Sequence, residues 1–88
     1  MLIFKNRMDF IDKILLEAFV TKRVKSSNIK KVSYDKDEHI MRLEFHSGGT
    51  YEYYDVPPKV YNQLLKAKSK GRFGYYNIYW DYAYERID

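Results

Sequence analysis

Apolar residues recur along this chain in two different rhythms. Ile11, Ile14, Leu15, Ala18 and Phe19 fall three or four positions apart, the spacing of one helix face. Asp9 and Asp12 stand at the front of that run and Lys22 and Arg23 behind it, which suits the helix dipole. The pattern predicts an amphipathic helix over 9–20, with a short strand at Leu2–Phe4 before it. After the polar break Ser26-Ser27-Asn28, Ile29, Val32 and Tyr34 mark a strand over 29–34. Asp35-Lys36-Asp37-Glu38 is a charged turn. From Ile40 to Phe45 the period is two, with Met41, Leu43 and Phe45 on one face and Arg42 and Glu44 on the other.

His46-Ser47-Gly48-Gly49 predicts a hairpin turn, since glycine tolerates positive φ. Thr50–Val56 is the next expected strand, aromatic on both faces. Pro57 and Pro58 end it and suit the first turn of a helix. Val60, Tyr61, Leu64, Leu65 and Ala67 then carry the helical period, predicting a helix over 58–69 with Gly71 as its C-cap. Ile78 to Ile87 alternates again, placing Ile78, Trp80, Tyr82 and Tyr84 on one face of a last strand. Short turns between the first strands imply an antiparallel meander. The expected fold is α+β: about four strands, a helix at 58–69 packed on one face, and an extra N-terminal helix at 9–20.

Eighty-eight residues form a single domain. Its 45% hydrophobic content suffices for a core, and its 18% aromatic content, with ten tyrosines, suits half-buried sheet faces and binding surfaces alike. The absence of cysteine excludes disulfides and thiolate zinc sites. The opening Met1-Leu2-Ile3-Phe4-Lys5 is broken by charge at once and lacks a signal-peptide layout. No apolar run approaches membrane-spanning length. The expectation is a soluble cytoplasmic protein.

The net charge of +4 is blocked along the chain. Residues 1–31 hold eight Lys/Arg against three Asp/Glu, and residues 59–73 hold five against none. Residues 32–58 hold two against six, and residues 74–88 one against three. Clustered cations are one condition for a nucleic-acid footprint, and ordinary solvated lysines are the plainer explanation.

Catalysis is not expected. The two histidines, His39 and His46, fall at strand ends or turns, and His46 and Ser47 as sequence neighbours point apart. Asp35, Asp37 and Glu38 lack calcium-loop spacing, and Ser69-Lys70-Gly71 is too short for a phosphate loop. No catalytic residue, metal ligand or cofactor is predicted.

Residues 24–84 resemble the KTSC domain, a short module named for its occurrence at the C-terminus of some lysyl-tRNA synthetases. Val24, Ser26-Ser27, Ile29, Tyr34-Asp35 and Leu43-Glu44-Phe45 carry the first half of the likeness. The central Tyr51-Glu52-Tyr53, Val56-Pro57, Val60-Tyr61, Leu64, Ala67, Ser69-Lys70-Gly71 and Tyr75-Tyr76-Asn77-Ile78 carry the rest. Residues 1–22 form an extension longer than the module needs, and Gly74 is a local variation. The resemblance implies a non-catalytic binding module, and the link to a tRNA-handling enzyme implies RNA or tRNA as its ligand.

On that reading Lys25, Lys66, Lys68, Lys70 and Arg72 position phosphates, and Tyr51, Tyr53, Tyr75 and Tyr76 are candidate stackers for unpaired bases. The bland counterpart is that the tyrosines are core or cross-strand pairs and the lysines complement a helix dipole. A second class is protein binding: self-association or partner capture through the N-terminal helix, or service as a small inhibitor or regulator of a larger enzyme.

Overall fold

The computed structural model describes residues 19–88. Five strands and two helices follow in the order β1 (Val20–Arg23), β2 (Ile29–Asp35), β3 (Ile40–Phe45), β4 (Thr50–Tyr53), α1 (Pro58–Lys66), α2 (Lys70–Asn77) and β5 (Tyr84–Arg86). The strands form one antiparallel sheet in chain order, β1-β2-β3-β4-β5. The fold is α+β, as the sequence pattern predicts, with one strand and one helix beyond expectation. The expected N-terminal strand and most of the expected helix over 9–20 lie outside the described residues. Val20, placed at that helix's end by periodicity, instead opens β1 and pairs with Tyr34.

One sheet face makes the core. Val32, Tyr34, Met41, Leu43 and Tyr53 point inward with Ile29 and meet Val56, Leu64 and Ile78. A bulge reconciles the spacing on β2. Ile29 pairs with Phe45 but Lys31 with Glu44, so Lys30 is the extra residue. One inserted residue flips side-chain parity, which is why Ile29 and Val32, three apart, are both fully buried. The buried Asp35 carboxylate closes the next turn by accepting from the amides of Asp37 at 2.9 Å and Glu38 at 3.1 Å. The Gly48 and Gly49 backbones take φ of 101° and 91°, the left-handed geometry expected of that hairpin.

The largest departure lies after Pro58. Proline does occupy the first turn of α1, but the helix stops at Lys66 rather than continuing to 69. Ser69 adopts extended backbone and its side chain accepts from the Arg72 amide at 3.3 Å. It therefore starts a second helix, because a serine hydroxyl satisfies an orphan N–H best at an N-cap. Lys70 reaches back and donates to the Ala67 carbonyl at 3.0 Å, closing α1. Gly71 is accordingly not a C-cap. It lies in the first turn of α2 against Asn28, and a Cβ there would stand 2.9 Å from the Asn28 Cγ.

That contact yields a prediction. Gly71→Ala gains helix propensity of about 1 kcal/mol yet overpacks the junction at a cost of about 1–3 kcal/mol. A net loss of stability is expected in urea unfolding, and Asn28→Ala in the same chain should recover most of it. Strictly additive effects of the two substitutions would show that the two groups do not collide.

The segment after α2 also differs from expectation. Ile78 to Asp81 is a turn, and only Tyr84–Arg86 is strand. Ile78 is fully buried while Trp80 is 70% exposed, so these two do not share a strand face. Asn77 donates its side-chain amide to the Phe73 carbonyl at 3.0 Å and helps close α2.

Candidate functional site

The two faces of the sheet differ in what their charges are doing. On the face away from the helices, Arg42 Nε lies 2.6 Å from Glu52 Oε2 and Lys31 Nζ lies 3.8 Å from Glu44. Tyr54 donates to Glu52 at 3.0 Å, Thr21 and Ser33 hydroxyls bond at 2.7 Å, and the Phe19 ring lies 4.0 Å from the Arg42 guanidinium. Those cations already have partners. Arg23, opposite Lys31 on the exposed edge strand, has no carboxylate partner among the described residues, so this face is neutralised only in part.

The helical side is different. Lys66, Lys68 and Arg72 are exposed at the α1–α2 junction, and Lys25 is exposed in the β1–β2 loop. That loop abuts α2 where Asn28 meets Gly71. None of these four cations pairs with a carboxylate among the described residues. Lys70, a fifth expected phosphate contact, is half-buried and holds the α1 C-terminus.

Arg72, Tyr75 and Tyr76 follow at helical spacing on α2, and both tyrosines are exposed. The two rings meet edge-on at 5.2 Å. Tyr75 also meets Trp80 edge-on at 6.0 Å. Tyr76 and Trp80 are each 70% exposed and Tyr75 is 52% exposed. Three large aromatic rings thus stand in solvent, two of them one helical turn from Arg72, which has no carboxylate partner among the described residues. Desolvating such rings is favourable for any partner with a flat π-face.

The other two candidate stackers lie elsewhere. Tyr53 is 4% exposed and belongs to the core; burial among Tyr79 and Tyr84 raises its hydroxyl pKa well above the ordinary value. It is not an exposed stacker. Tyr51 is half-buried in the interior strand β4, between Phe45 and Tyr84. Trp80 is the surface residue that sequence reasoning placed wrongly. The run Tyr75-Tyr76-Asn77-Ile78-Tyr79-Trp80 has no clear period, and only the end of α2 decides which rings face out. The Tyr79 ring packs on Gly74, where a Cβ would stand 2.6 Å from its Cζ. Its hydroxyl is buried without a partner among the described residues.

Comparison with known proteins decides the family. The model of the KTSC domain matches residues 25–82. The chain belongs to the KTSC domain family. A crystal structure of a KTSC domain protein from Yersinia pestis superposes with a TM-score of 0.78 at 32% identity, covering 81% of this chain and all of that one. A protein of Tsukamurella paurometabola is 52% identical over 50 residues, which are 57% of this chain and 75% of the relative. A lysine–tRNA ligase of Nostoc punctiforme is 42% identical over 55 residues, 62% of this chain but 10% of the ligase. The KTSC domain is therefore found both in small proteins and as a minor part of a tRNA ligase. In this KTSC domain, no helix among the described residues is long and apolar enough to cross a membrane.

Proposed function

We propose that this KTSC domain is a non-catalytic cytoplasmic binding module that takes single-stranded RNA or the unpaired parts of tRNA on α2 and its flanks. One observation carries the reading: Tyr75 and Tyr76, one helical turn from Arg72 on α2, and Trp80 just after it stand exposed, and Lys66, Lys68 and Lys25 are exposed in the adjoining segments, all four cations without carboxylate partners among the described residues. Cations attract the phosphate chain whatever its sequence, and rings accept unpaired bases. Duplex nucleic acid hides its base faces, so single strands fit better. The relation to a lysine–tRNA ligase supports a tRNA-linked role.

Fluorescence anisotropy with labelled single-stranded RNA, tRNA and duplex DNA tests this over a range of salt. Up to four phosphate contacts give a log–log salt slope of roughly −3 for a single strand. Lys68→Glu combined with Arg72→Glu should weaken RNA binding and flatten the slope by about 1.4, at about 0.7 per contact. Tyr75→Ala with Tyr76→Ala should remove stacking worth about 1–3 kcal/mol per base. Equal, purely salt-driven binding to all three nucleic acids, or affinity untouched by both double variants, would overturn the reading. The patch would then be better understood as a protein contact, for which exposed Trp, Tyr and Arg are well suited.

A further inference from the structure

The aromatic surface does not end at α2. Beyond Trp80 lies an open cleft of about 280 Å³, lined by Phe45, Ser47, Tyr51, Tyr53, Trp80 and Tyr84 among others. Its floor is a closed circuit of rings. Tyr84 meets Tyr51 at 6.0 Å, Tyr51 meets Phe45 at 5.7 Å, and Phe45 meets Tyr79 at 5.7 Å. Tyr79 meets Tyr53 at 6.2 Å, and Tyr53 returns to Tyr84 at 5.6 Å. Trp80 and Tyr84, 70% and 50% exposed, form its outer edges. Arg86 faces Tyr51 across the β4–β5 pair, so its side chain leaves the same sheet face at the end of the cleft. Asp88 pairs with its Nε at 3.0 Å, but both side chains are about half exposed, so the pair is a weak one that a phosphate can displace.

We propose that this cleft seats one unpaired nucleobase of a bound strand, with Arg86 on the accompanying phosphate. The inference rests on the RNA-binding reading and adds a defined subsite to it. Size points to a single planar group, since the volume lies just under the roughly 300–1,000 Å³ of pockets for larger ligands. The lining points to a π-face, because aromatic rings make up most of it. The rim points to an anion, because the cation there is Arg86, held in an exposed pair that a phosphate can displace. Continuity completes the argument: Trp80 touches Tyr75 on one side and edges the cleft on the other. A strand stacked on α2 therefore runs over Trp80 into the cleft.

Trp80 is the single tryptophan of the chain, so its emission reports on this subsite directly. The full chain is titrated with adenosine 5′-monophosphate, with adenosine, and with a short single-stranded oligoadenylate, with emission corrected for absorption by the added nucleotide. Saturable quenching by the monophosphate is expected, with tighter binding than adenosine. Tyr84→Ala should weaken the monophosphate about tenfold, and the exposed Arg86→Gln should bring monophosphate and nucleoside to the same affinity. Absence of saturable quenching in the parent chain, or quenching unaltered by both variants, overturns the subsite. Anisotropy of the labelled oligonucleotide is read alongside. Oligonucleotide binding that is lost in the Tyr75→Ala, Tyr76→Ala variant but never reaches Trp80 leaves RNA binding standing and removes the cleft. Tyr84-dependent quenching by the monophosphate without oligonucleotide binding does the reverse.

Discussion

Leu64→Ala should lower the unfolding free energy by about 2–5 kcal/mol, the range for truncating a buried leucine. Leu64 is the buried residue of α1, at 0% exposure, and it meets strand residues of the core. The helix has little else to hold it. Tyr61 stacks on Tyr34 at 4.4 Å with the rings nearly parallel, and Val60 is half-buried. At roughly 0.05–0.15 kcal/mol per residue, an 88-residue chain has about 4–13 kcal/mol in total. The substitution therefore removes a large fraction of it. Urea unfolding measures the loss, and Gln63→Ala, at an exposed neighbouring position, is the control expected to stay within about 0.5 kcal/mol. A loss under about 1 kcal/mol for Leu64→Ala would mean that α1 does not close the core as described. Because α1 leads into the basic junction, the same variant should weaken RNA binding only as far as it populates the unfolded chain.

Alkaline pH should unfold the domain. Burial raises the hydroxyl pKa of Tyr34, Tyr53, Tyr61 and Tyr79 above the ordinary tyrosine value. The cause is desolvation of the phenolate. A tyrosine in the unfolded chain releases its proton near pH 10, while the folded chain still holds it. Above that pH the folded state binds more protons, so stability falls as pH rises. The contribution is fully present below about pH 10 and is lost through the window up to the raised values. Each such tyrosine steepens the fall by up to about 1.4 kcal/mol per pH unit. Urea midpoints should be nearly flat across this effect's range from pH 8 to about pH 10 and drop steeply beyond it. The phenolate absorbance of the four buried rings should rise together with unfolding. A single smooth titration of all ten tyrosines, with no loss of structure, would contradict the burial described for them.

Much of the fold is legible in the chain because a single face of a strand records its own burial. Met41 and Leu43 alternate with Arg42 and Glu44 in β3, and the structure buries the first pair and leaves the second half-exposed. The prolines placed the start of α1, and the paired glycines placed the hairpin between β3 and β4. The misreadings share a cause. The run from Lys66 to Arg72 holds both the end of one helix and the start of the next, and local propensity does not say which neighbour Ser69 serves. Val20 to Arg23 looks like the tail of a helix because its strand is an exposed edge with little periodicity to show. The candidate site was legible by composition rather than position. Basic and aromatic neighbours point to Arg72, Tyr75 and Tyr76, alternation puts Trp80 in a strand, and Tyr53 stays open between a stacker and a core ring.

By itself, then, the order of residues determines the meander, its turns, the membership of the KTSC family and the concentration of unpaired charge after Lys59. These follow from short-range chemistry: period, proline geometry, glycine turns and blocks of like charge. Which tyrosines are walls and which are contacts is decided only in three dimensions. Tyr51 and Tyr53 differ by two positions and share a sheet face, yet one is half-buried and the other is 4% exposed. Tyr84 packs against both, and Tyr79, from later in the chain, stacks on Tyr53. Burial is a property of what returns to cover a residue, and no local pattern contains that.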